Sequence, residues 1–110
     1  MRSDERIQQH MDEINKLDIT TQELEKIKTE LISNRTNKYI EFFSNPIDIC
    51  SNFYPIEYFK RQIFIGGLTY KIDEISNIIR ILQDSIKKEY KYIDNIIEEQ
   101  KLINDIPDTI

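Results

Sequence analysis

The sequence predicts an α+β chain that is mostly α: two long antiparallel coiled-coil helices joined by one or two small β-hairpins. Three observations carry that expectation. Apolar residues recur at helical spacing through the first third of the chain. A ladder of isoleucines spaced by seven runs through the last third. Between them, "QIFIGGLTYKI" (62–72) places two apolar runs on either side of Gly66 and Gly67, the only glycines among 110 residues. We expect one domain over residues 1–110, a length that holds one domain or less.

The first helix is expected over 4–43. Ile7, Met11, Ile14 and Leu17 fall at helical spacing with charges between them, and Leu24, Ile27 and Leu31 resume the stripe. Near 18–20 a break or bend is expected. There, Thr20 can cap with Glu23 three residues on, and Ile19 can staple onto Leu24. "SNP" (44–46) ends the helix, because the residue before Pro46 is pushed out of the helical region.

Residues 47–72 change character. Leu68, Tyr70 and Ile72 alternate with Thr69 and Lys71, a period of two, and "QIFI" before them is β-branched and aromatic. Paired glycines between such runs are a hairpin signal, since both central residues of a tight primed turn need positive φ. Upstream, Tyr54, Ile56 and Tyr58 alternate with Pro55, Glu57 and Phe59. Lys60-Arg61 forms a short connection, and "IDI" (47–49) offers a further strand. Pro55 restricts its strand to an edge. The competing reading is a helix from Pro55 to Ile65 with proline in its first turn.

The second helix is expected over 73–105, opened by Asp73 and stopped by "DIPDTI". Ile72, Ile79, Ile86 and Ile93 form one row, and Ile75, Leu82, Ile96 and Ile103 the interleaved row, with Glu89 as its one break. Ile78, Tyr90, Tyr92 and Ile97 widen the stripe beyond a two-stranded seam. Two such helices with exposed hairpins cannot close a core alone, because a lone hairpin is marginal in water. An obligate oligomer follows.

Composition narrows the function classes. The net charge is −5 and the pI about 4.9, which argues against a nucleic-acid partner. No run of 18 apolar residues occurs and the first residues have no apolar core, so neither a membrane span nor a secretory signal is expected. With one cysteine, a reducing, cytoplasmic setting is expected.

No catalytic, cofactor or metal site emerges, and no enzyme is expected. Gly66-Gly67 lacks a phosphate-loop context and reads as a structural turn. His10 has no second ligand at metal spacing and reads as a solvated helix residue, and Cys50 as a small buried apolar residue. The acidic pairs Asp12-Glu13 and Glu98-Glu99 read as solvated faces, and "KKEYKY" (87–92) as a snorkelling flank. Apolar residues gather near both outer ends: Ile7 and Met11 at one, Leu102, Ile103 and Ile106 at the other. They form either the last turns of a coiled coil or an apolar tip that grips another chain.

"SNFYPIEYFKRQIFIGGLTYKIDEISNIIRIL" (51–82), with "SNFY", "QIFIGG" and "YKIDEISNII" in that order, resembles an alpha-type prefoldin subunit, nearest to the eukaryotic subunit-3 branch. The likeness covers roughly residues 20–105 and rests on element order and about a dozen similar positions. The Lys60-Arg61 connection is shorter than the family's, and isoleucine replaces the small residues common in its second helix. The resemblance implies an ATP-independent holdase subunit, without cofactors, in a hetero-hexamer of prefoldin-type subunits. Such a complex binds unfolded clients such as actin and tubulin and delivers them to a cytosolic chaperonin. Assembly would then fall to Tyr54, Ile56, Tyr58, Ile63, Phe64, Ile65, Gly66, Gly67, Leu68, Tyr70 and Ile72, and client contact to Ile7, Met11, Leu102 and Ile103. The alternative is a helical coiled-coil scaffold or adaptor subunit of a multiprotein complex, in which 52–65 is helical.

Overall fold

The computed structural model describes residues 3–105. It contains two α-helices, α1 (Ser3–Ser44) and α2 (Tyr54–Asp105), and no strand among the described residues. The expected α+β class is therefore overturned: α2 begins before "QIFIGGLTYKI" and runs through it. The competing helical reading of 55–65 describes this stretch, with Pro55 in the first turn, where a missing N–H costs no helical bond.

Two heptad rows explain why 54–72 is helical. The Ile72, Ile79, Ile86, Ile93 row extends back to Ile65 and Tyr58, and the interleaved row back to Leu68, Arg61 and Tyr54. Gly66 and Gly67 fall between, on the exposed side, and neither has positive φ. No turn forms. Each glycine lowers helix stability by about 1 kcal/mol relative to alanine, which the packing of Ile65, Leu68 and Ile72 offsets. Leu68 and Ile72 point inward while Tyr70 points to solvent, so the expected single face of a strand is split. Asp73 lies inside α2 and caps nothing.

The first helix also departs from expectation, since α1 has no break at 18–20. Thr20 Oγ1 donates to the Lys16 carbonyl (3.0 Å) and Thr21 Oγ1 to the Leu17 carbonyl (2.8 Å), each one turn back. A threonine satisfied in this way continues a helix rather than starting one. At its far end α1 stops at Ser44, before Pro46. Asn45 caps it, with both its backbone N–H and its Nδ2 donating to the Glu41 carbonyl at 3.0 Å.

The connection 45–53 is held by local bonds rather than as a strand. Cys50 N–H donates to Asp48 Oδ1 (3.0 Å), Ser51 N–H to the Asp48 carbonyl (3.0 Å), and Phe53 N–H to Ser51 Oγ (3.1 Å). Cys50 is exposed there, not buried.

The chain forms two compact units. Unit 1 joins the stretch of α1 up to Gln22 with the stretch of α2 from Arg80. Its pairing is antiparallel, since Arg6 meets Glu99 (3.3 Å) and His10 meets Glu89. Ile14, Ile93 and Ile96 are its buried apolar residues, and Thr21 is buried as well. His10 is not a solvated residue. It is half-buried, its ring lies 5.4 Å from that of Tyr92, and its Nδ1–H donates to Glu89 Oε2. Glu89, the one break in the isoleucine rows, is thus the partner of the only histidine.

Unit 2 is Glu23–Ile79. Its pairing is antiparallel as well: Arg35 Nη1 donates to Thr69 Oγ1 (3.2 Å), and Arg61 Nη1 to the Phe42 carbonyl (3.1 Å). Ile72 and Ile79 are its buried residues. On α1 of this unit, Lys28, Arg35 and Lys38 share the half-buried rows with Leu24, Leu31 and Phe42. Polar residues thus occupy positions where a coiled-coil seam is ordinarily apolar.

Candidate functional site

In unit 2 the apolar side chains outnumber the places to bury them. Among the described residues, fourteen large apolar side chains of unit 2 are exposed, against seven in unit 1. Phe43 reaches 90% exposure and Ile49 80%. The surplus gathers around the connection between the helices.

The last turns of α1 carry Tyr39, Phe42 and Phe43; the connection adds Pro46, Ile47 and Ile49; the first turns of α2 add Tyr54, Tyr58 and Ile65. Together they line an open groove of about 590 Å³, with Arg61 and Gln62 as its polar members. Phe42 organises this end. The Arg61 guanidinium lies 4.7 Å from its ring centre, and Phe64 meets it edge-on at 6.5 Å. Lys38 Nζ stands 5.1 Å from the Phe64 ring while pairing with Glu41 at 3.0 Å.

Arg61 has a second task. The Phe42 carbonyl is among the last four of α1, which no intrahelical N–H satisfies. α1 has no basic residue in its last turn. Arg61 supplies from α2 both the missing donor and the positive charge that a helix C-terminus favours. Tyr54 and Tyr58 stack at 6.0 Å, and Tyr58 meets Phe59 edge-on at 5.7 Å, which gives the α2 wall of the groove a rigid aromatic surface. Such a site can hold apolar side chains from another chain against aromatic rings.

The residues expected to mediate assembly divide among three environments. Tyr54, Tyr58 and Ile65 line the groove. Leu68 and Ile72 turn inward, and Phe64 turns to Phe42. Ile56, Ile63, Gly66, Gly67 and Tyr70 face solvent along α2. Of the expected tip residues, Ile7 and Met11 are half-buried in unit 1, whereas Leu102 and Ile103 are exposed; Ile106 lies outside the described residues.

Tyr39, Phe42, Phe43 and Arg61 were not foreseen as site residues. A signal for them exists. Phe42 continues the α1 row Ile7, Ile14, Thr21, Lys28, Arg35 at intervals of seven, while Tyr39, Ile40 and Phe43 fall outside both rows. Apolar residues out of phase with a seam mark a second contact surface.

The chain matches no protein-family model, no curated protein and no solved structure.

Proposed function

We propose that the chain is a helical coiled-coil scaffold or adaptor subunit of a multiprotein complex, which docks a partner's amphipathic helix through unit 2. One observation supports this above others: the exposed aromatic and aliphatic cluster around the groove of Tyr39, Phe43, Ile49 and Tyr58. Exposed apolar surface on this scale marks an interaction site, and rigid aromatics beside an arginine are the composition of binding hot spots. The prefoldin resemblance depended on hairpins within 47–72. With α2 running from Tyr54, its element order is lost and only the similar positions remain.

The test is site-specific photo-crosslinking in the source cells, with the reactive group at Ile49 in the groove and, as a control, at Lys87 in unit 1. A scaffold gives one or a few discrete adducts at Ile49 and not at Lys87. The adduct reforms from purified chains and is lost with Phe43→Asp. A broad smear of unrelated chains identifies a holdase instead. No adduct at Ile49 overturns the assembly reading.

A further inference from the structure

α2 has a second apolar face in unit 2, opposite the one that packs on α1. Ile56, Ile63, Tyr70 and Asn77 are seven apart. Phe59, Gly66 and Asp73 form the next row, and Lys60, Gly67 and Glu74 the third. On a helix these rows share one side. Ile56, Phe59, Ile63 and Tyr70 are 54%, 62%, 74% and 70% exposed. The fold of the single chain does not require glycine at 66 or 67, since φ is negative at both and a Cβ there would meet nothing within 4 Å. Their effect is to leave a flat place at the centre of an apolar stripe.

The charges on this face are arranged unevenly about that centre. Lys60 lies on the N-terminal side and Asp73 and Glu74 on the C-terminal side. Lys60 holds only a weak exposed pair with Glu57 at 3.7 Å, and among the described residues Asp73 and Glu74 are in no ion pair. An antiparallel second copy with its twofold axis between Gly66 and Gly67 sets Lys60 of each copy against Asp73 of the other. It also sets Ile63 against Tyr70 and the ring of Phe59 against the stem of Glu74. A parallel copy would instead oppose Lys60 to Lys60 and the acids to the acids.

We propose that this face is the interface of a twofold-symmetric antiparallel homodimer, in which the two α2 helices cross at Gly66–Gly67. The inference rests on the reading of the chain as an assembling subunit and names one partner: a second copy. Residue i of one copy meets residue j of the other and the reverse, so each favourable pair occurs twice.

Sedimentation velocity of the full chain tests it, with helicity checked by circular dichroism. The chain should dimerise at concentrations up to about 0.1 mM, as expected for a small interface. Ile63→Glu should weaken the dimer roughly tenfold or more, since two apolar contacts are lost. The decisive experiment uses two charge variants. Lys60→Glu and Asp73→Lys/Glu74→Lys should each lose dimer as pure species, and a one-to-one mixture should recover it, because both contacts are then complementary.

A dimer that withstands Ile63→Glu, or a mixture that does not recover, overturns the proposal. So does a chain that stays monomeric. If that monomer still gives a discrete groove adduct at Ile49, the homodimer fails while the scaffold reading stands. If it gives none, both fail.

Discussion

Units 1 and 2 are built from the same two helices, yet they bury different things. Unit 1 closes around Ile14, Ile93 and Ile96, and pairs two polar residues across its helices, with His10 opposite Glu89. Unit 2 places Lys28, Arg35 and Lys38 in the half-buried rows and leaves Tyr39, Phe43, Ile49 and Ile63 in solvent. A heptad pattern alone therefore does not say whether a helix pair is self-sufficient. In unit 1 the buried isoleucines are in phase with the seam, and among the described residues half as many large apolar side chains are exposed as in unit 2. In unit 2 many are out of phase, and a chain with apolar residues on two sides of one helix has surface left for a partner.

The largest contrast between the units should appear on truncation of isoleucines. Ile96→Ala, at a site 2% exposed, should cost about 2–5 kcal/mol in urea unfolding, whereas Ile63→Ala, 74% exposed, should cost less than about 0.5 kcal/mol in the monomer. Equal losses would mean that the two faces of α2 do not differ as described. Next in size is Arg61→Ala, which removes a charge-assisted bond to the Phe42 carbonyl and the contact with its ring. A loss of about 1.5–3 kcal/mol is expected, and hydrogen exchange should show the end of α1 near Phe42 opening first. An unchanged exchange pattern there would remove Arg61 as the cap of α1.

Gly66→Ala is smaller in magnitude and distinctive in sign. In an exposed helix it should raise thermal stability by about 0.5–1 kcal/mol, measured at low concentration on the monomer. In a turn with positive φ the same change would destabilise, so a loss of stability would restore the hairpin. The smallest effect is expected at Lys26, whose pair with Glu23 at 3.3 Å is exposed on both sides. Lys26→Ala should shift stability by no more than about 0.5 kcal/mol. A larger change would show that surface pairing in unit 2 offsets its thin core.

The heptad ladder from Ile72 onward was legible because its apolar residues serve one seam. The stretch 54–72 was not, although the same rows run back through Leu68, Ile65, Arg61, Tyr58 and Tyr54. Apolar residues on both sides of a helix blur the 3.6-residue period. In Leu68, Tyr70 and Ile72 an inward, an outward and an inward residue fall two apart and imitate a strand. Paired glycines then add a turn signal. Of the site, Tyr54, Tyr58 and Ile65 were expected as assembly residues. The α1 half of the groove was missed because Phe42 follows Lys28 and Arg35 in its row, where the apolar pattern had already lapsed.

Short-range chemistry written in the chain sets the stop of α1 before Pro46, the helical ladder from Asp73 on, and an excess of apolar residues over the places one chain offers to bury them. Long-range packing sets the rest: residues 54–72 are helix, Glu89 faces His10, and Arg61 caps the end of α1. Each of these depends on a group distant in sequence. Ile65 and Leu68 become helical because an antiparallel stretch of α1 offers one face to bury them on, a contact worth more than the roughly 1 kcal/mol that each glycine costs locally.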